Sequence, residues 1–183
     1  NADDYYGAGS FQLIADFLTQ HCSSSLMAMV GYTLRNTLSE YGTVNRGVCE
    51  VDANNNLIEV IERTKIAAQN GIVNYNVGDD LPLGTVDNNV PVSMNYWGFH
   101  PSIFKEIEKG LHDFMKVNPN NPTAEYYIPN IVTDMIVAGQ MAVRVIPTDD
   151  NWFGVTYKED KPMAVDAIKK CIADGIYPTN LWS

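Results

Sequence analysis

The chain has 183 residues (20.3 kDa), and 45% of them are apolar, enough for the core of one ordinary domain and too many for a mainly disordered polypeptide. Twelve basic against twenty-two acidic residues give a formal charge of −10, which excludes a nucleic-acid-coating surface. A phosphate-bearing small molecule stays open, because it needs only a local cation or a metal ion.

Ser10 is placed to cap a helix from Phe11 to about Gln20, with Phe11, Leu13, Ile14, Phe17 and Leu18 on one face. Leu26 to Leu34 is apolar and free of proline, so it reads as a buried strand; the best apolar run, Leu26 to Tyr32, is far below the ~20 residues of a membrane span. Asn45 to Asp52 and Leu57 to Ile61 alternate around an Asp-Ala-Asn-Asn-Asn turn and form a hairpin. Residues 74–91 are rich in Gly, Pro, Asn and Asp and read as a long loop with room for a short strand. Val92 to Phe99 is a further strand, and Pro101 opens a helix to Met115. After the break at Asn118 to Pro122, Thr123 caps a helix to about Ala138, where Gly139 stops it. Met141 to Ile146 is a strand, and Asp160 to Ala173 is the last helix. Four helices interleaved with at least five strands predict an α/β fold with a mixed central sheet flanked by helices, with no boundary inside residues 1–183. Cys22, Cys49 and Cys171 are odd in number and widely spaced, as reduced thiols of a cytoplasmic protein would be.

Five segments could carry chemistry. Asp3-Asp4, followed by Tyr5-Tyr6-Gly7, suits a hard cation such as Mg²⁺, or else a solvated acidic turn before a helix. Glu62-Arg63-Thr64-Lys65 pairs an acceptor for sugar hydroxyls with phosphate-neutralising cations, or is a charged strand end. Tyr41-Gly42 allows close backbone approach to a ligand, or is an ordinary loop glycine. Glu125 is a candidate ligand contact or a first-turn helix acid. Trp152-Phe153-Gly154 lies between a strand and a helix, where ligands bind, and serves equally as core. His21, His100 and His112 lack metal-type spacing, and no Walker loop, GxGxxG or nucleophile elbow occurs.

The order of these segments resembles the sugar nucleotidyltransferases (NDP-sugar pyrophosphorylases). An aspartate with a following Tyr-Gly leads to a Tyr-Gly-x-Val entry into a hairpin, then a Glu followed by a base, a Glu-bearing helix and a Trp-Phe segment before the last helix. The likeness covers nearly the whole chain but only the later two-thirds of that family's catalytic domain; the opening strand and glycine-rich nucleotide loop have no counterpart. With Asn1-Ala2-Asp3-Asp4 as its beginning, the chain is expected to be the C-terminal part of something longer and to be nearly inactive by itself.

The resemblance implies a nucleotide-diphospho-sugar transferase-like (Rossmann-like) fold and nucleotidyl transfer from an NTP to a sugar-1-phosphate, a step of nucleotide-sugar biosynthesis. It implies Mg²⁺ on Asp3, a sugar phosphate on Arg63, and sugar contacts from Tyr41, Gly42, Glu62 and Glu125. It implies no nucleic-acid or membrane partner and leaves a homo-oligomer open. Gly154 stands where the family has a second metal-binding aspartate, so Asp149, Asp150 or Asp160 substitutes, or the metal chemistry differs. Two other readings remain: a metal-dependent glycosyltransferase of related topology, and a non-catalytic sugar-phosphate sensor.

Overall fold

The computed structural model describes residues 2–39, 42–155 and 158–180. Its elements in chain order begin with β1 (Asp4–Tyr5), α1 (Ala8–Gln20), β2 (Leu26–Thr33) and a 3₁₀ turn (Leu34–Thr37). Next come β3 (Val44–Val51), β4 (Leu57–Gln69), β5 (Ile72–Tyr75), β6 (Gly84–Val86) and β7 (Pro91–Gly98). They are followed by α2 (Ile103–Val117), α3 (Ile128–Val137), β8 (Ala142–Thr148), β9 (Phe153–Gly154), a 3₁₀ turn (Lys158–Asp160) and α4 (Lys161–Ala173). Seven strands form one sheet in the order β6-β5-β4-β3-β7-β2-β8; β1 and β9 make a separate two-stranded ribbon. Only β2 and β8 run parallel, so the sheet is mixed, and the α/β expectation holds at that level.

β2, next to the edge strand β8, is buried on both faces because it is apolar on both sides. Ala28, Val30 and Tyr32 pack with Ile14 and Phe17 of α1, while Met27 and Met29 pack with Ile103 of α2 and Ile131, Val132 and Met135 of α3. Each such buried side chain contributes roughly 1.5–3 kcal/mol. The alternation of β2 thus places α1 on one face and α2 and α3 on the other. The sheet also curls. The β3–β4 turn reaches the β8 edge, where Val145 N–H donates to the Asn55 carbonyl at 2.8 Å and Arg144 Nε to Asn56 Oδ1 at 3.2 Å. An open edge is covered in this way.

Three expectations need correction. The first helix begins at Ala8, and Ser10 is fully buried inside it rather than capping it. The Asp150 carboxylate takes that role from a distant loop, accepting the Ser10 backbone N–H at 2.6 Å. Gly7 has φ of 87°, and a Cβ there would lie 2.4 Å from the Asp150 carboxylate, so both conformation and space require glycine. The second hairpin strand runs on to Gln69, because β5 and β6 extend the sheet into the segment expected to be mainly loop. Finally, Thr123 caps no helix: its N–H and hydroxyl donate to Asn121 Oδ1 in a turn, and α3 starts at Ile128 with proline in its first turn.

Candidate functional site

A cleft of about 1040 Å³ opens over β3, β4 and β7, between the β1–β9 ribbon and the start of α3. Asp3, Asp4 and Trp152 line its ribbon side; Tyr126, Tyr127 and Asn130 line the opposite side. The floor is built by strand irregularities. Asn45, Arg46 and Gly47 are consecutive yet all line the cleft, beside a register shift between Val44 and Arg46. Opposite that shift Lys65 has φ of 51°, and its N–H donates to Asn45 Oδ1 at 2.9 Å. Ser93, Met94 and Asn95 repeat the pattern on β7, where Asn95 has φ of 57°. A regular strand would present only alternate residues; these departures concentrate polar groups on one wall.

The acidic side is fixed by the ribbon. Asp4 pairs with Gly154, and Val155 N–H donates to the Asp3 carbonyl at 2.6 Å. The Tyr6 hydroxyl lies 3.1 Å from both Asp4 Oδ2 and the Met94 carbonyl, and Tyr32 donates to the Tyr6 carbonyl at 2.6 Å. Burial, with Asp4 adding to it, pushes the Tyr6 hydroxyl well above its ordinary range, so it stays a neutral donor. Behind the ribbon, Tyr5 stacks on Phe153 with ring centroids 4.5 Å apart.

Arg46 is the only basic side chain among the described lining residues. Its two terminal nitrogens donate to the Thr37 carbonyl at 2.6 Å and the Asn45 carbonyl at 2.7 Å, and its guanidinium lies 4.8 Å from the centroid of Trp152. Burial lowers its pKa, while Asp4 and Glu62 oppose that effect. Glu62 pairs across the hairpin with Gly47, where an added Cβ would lie 3.6 Å from Glu62 Oε2. Although the residue is exposed along one side, partial burial of the carboxyl raises its pKa, and Arg46 counters this. The cleft therefore combines acceptor-only carboxylates, one cation, neutral hydrogen-bonding amides and hydroxyls, and aromatic faces.

The residues singled out from sequence divide accordingly. Asp3 and Glu62 line the cleft together. Arg63 does not line it; its guanidinium stacks on Tyr75 at 4.5 Å. Strand alternation sends Val60, Glu62 and Thr64 to the cleft and Arg63 to the other face. Gly42 is exposed and outside the lining, and Tyr41 lies outside the described residues. Glu125 lies ahead of α3 rather than at its start, in a smaller groove of about 500 Å³ shared with Glu106, Asp113 and Asp134. It connects to the cleft through Tyr127, whose hydroxyl donates to its carboxylate. Asp149, Asp150 and Asp160 do not line the cleft. Arg46 was not anticipated. Nothing local marks it, because the register shift falls at Asn45 and Gly47 pairs regularly with Glu62 and Ser93.

A Cβ at Gly154 would lie 3.3 Å from Asp4 Oδ1, so this position adjoins the acidic pair but supplies no carboxylate. No group of three His, Cys, Asp or Glu forms a metal cluster among the described residues. Asp3 and Asp4 nevertheless fit Mg²⁺, which is commonly held by one or two carboxylates with substrate phosphates and water completing its shell. No helix among the described residues is long and apolar enough to cross a membrane. No family model matches the chain, and no curated protein matches it.

Proposed function

We propose that this chain provides the sugar-phosphate side of a nucleotidyltransferase site, in which a sugar-1-phosphate is joined to the nucleotidyl group of an NTP. The observation that carries this reading is the meeting of Asp3, Asp4, Glu62 and Arg46 in one cleft. The mixed sheet with helices on both faces accommodates the nucleotide-diphospho-sugar transferase type of fold. In the reaction a phosphate oxygen of the sugar-1-phosphate attacks the α-phosphorus, a P–O bond forms, and the bond to the β-phosphate breaks to release pyrophosphate. Glu62, Asn45 and Asn95 accept and donate hydrogen bonds to the sugar hydroxyls, fixing the nucleophile's orientation. Holding two reactants in line supplies on the order of 7–11 kcal/mol of a barrier of this kind. Asp3, with Asp4 beside it, would hold Mg²⁺, which when bound offsets the charge of the triphosphate.

Product analysis tests the proposal. The chain is incubated with Mg²⁺, a hexose-1-phosphate and each of UTP, dTTP, CTP and GTP. The expected products, however slowly formed, are an NDP-sugar and an equal amount of pyrophosphate, both abolished in Asp3→Ala. Sugar transfer from an NDP-sugar to an acceptor without pyrophosphate would replace this reading with a glycosyltransferase. A second reading, sugar-phosphate binding without turnover, is favoured by the absent carboxylate at Gly154; binding by the native chain with no product would select it.

A further inference from the structure

Four buried side-chain polar atoms among the described residues have no hydrogen-bond partner: Arg46 Nε, Tyr96 Oη, Trp97 Nε1 and Trp152 Nε1. Three of the four belong to residues lining the cleft, and those three are N–H donors that cannot accept. Buried donors without acceptors are costly and scarce in folded proteins. All three atoms are themselves shielded from solvent, so a ligand in the cleft would meet Arg46 through the remaining N–H groups of its terminal nitrogens.

Arg46 is the strongest of them. Five N–H groups radiate from a guanidinium, and the carbonyls of Thr37 and Asn45 take one each from its terminal nitrogens. Those two bonds and the Trp152 face hold the group in place, so little rotamer freedom is lost when a ligand arrives. Asp4 and Glu62 are close enough to act on the guanidinium and hold it charged, and Asp3 with Asp4 leaves the ribbon edge of the same cleft to a cation.

We propose that Arg46, backed by Trp152, is the cleft's receptor for a phosphate group and engages it without a metal ion. The inference rests on the sugar-phosphate reading above and gives to Arg46 the role that the sequence pattern suggested for Arg63. A tetrahedral phosphate presents several acceptor oxygens to a forked donor, and Arg is better suited to that geometry than Lys.

The test is a titration of the full 183-residue chain in EDTA with hexose-1-phosphate, and in a parallel arm with inorganic phosphate, read by tryptophan fluorescence. Wild type is expected to bind. Arg46→Met is expected to weaken binding on the order of tenfold to a hundredfold, as for loss of a charged hydrogen bond, and Arg46→Lys to recover only part of it. Should Arg46→Met fail to fold by urea titration, Arg46→Lys decides, and wild-type affinity in that variant overturns the proposal. It is also overturned if wild type binds neither probe in EDTA, if Arg46→Met binds as wild type does, or if Arg63→Met carries the loss instead. Equal affinity for the two probes leaves the Arg46 receptor standing and removes the sugar from the reading it rests on. Binding in EDTA without NDP-sugar formation in the product assay would remove nucleotidyl transfer alone.

Discussion

Asp150→Ala should destabilise the chain more than any change at Ser10, reversing what the Ser10 N-cap pattern suggests. The Asp150 carboxylate accepts the Ser10 backbone N–H at 2.6 Å, at the first turn of α1, where its negative charge also complements the positive end of the helix dipole. Ser10 is fully buried, so water cannot replace the lost acceptor. A hydrogen bond to a charged group contributes about 1.5–3 kcal/mol. The helix-terminus effect overlaps with it, so the two are not summed, and about 2–3 kcal/mol is the expected loss. Asp150→Asn keeps an acceptor without the charge and should cost about 1 kcal/mol. Ser10→Ala removes only the hydroxyl contact with Thr148 Oγ1 at 2.9 Å, also worth about 1 kcal/mol. In urea, with a slope of about 2 kcal/mol per molar, the midpoint should fall by about 1–1.5 M for Asp150→Ala and about 0.5 M for the other two. A midpoint within about 0.2 M of wild type for Asp150→Ala, or a larger loss for Ser10→Ala, would refute the reasoning.

Two further outcomes follow from titratable groups that the fold takes partly or wholly out of water. Burial raises the folded pKa of Glu62 above its ordinary 4.5, so between those values the native state holds more protons than the unfolded one. Stability therefore declines as pH rises through that window, and Glu62→Gln should gain on wild type as the pH is raised above 4.5; a loss relative to wild type over the same rise, by urea midpoints, would contradict this. Cys49 is buried and its thiol is pushed up to about 12 by burial, so native protein near neutral pH should leave it unlabelled by a thiol reagent until denaturant is added. Rapid native labelling of Cys49, located by peptide mapping, would contradict the packing around β3.

The parts of this fold visible in the sequence were those set by local period. The apolar run of β2, the turn at Asp52 to Asn56 and the amphipathic α2 emerge from neighbouring residues alone. The α1 start did not, because its cap comes from Asp150, 140 positions further on. The β5–β6 extension is stabilised by pairing with β4, which no composition rich in Gly and Asn announces. At the site, the Asp3-Asp4 pair and Glu62 could be singled out by residue type and order. Arg46 could not, since an arginine in an alternating strand ordinarily faces solvent; its burial depends on Thr37 and Trp152, brought in from other segments. Arg63, one residue from Glu62, shows the cost of reading adjacency in a strand as proximity, because neighbours point to opposite faces.

The most direct measurement is amide NMR of the chain with an NDP-hexose and Mn²⁺ in place of Mg²⁺. Paramagnetic broadening should be strongest at Asp3, Asp4 and Gly154, which the β1–β9 pairing holds together, and weaken along β3 and β4. Broadening centred on the turn at Asp52 or on the groove of Asp113 and Asp134 would put the ion elsewhere and contradict a nucleotide-binding role for this cleft.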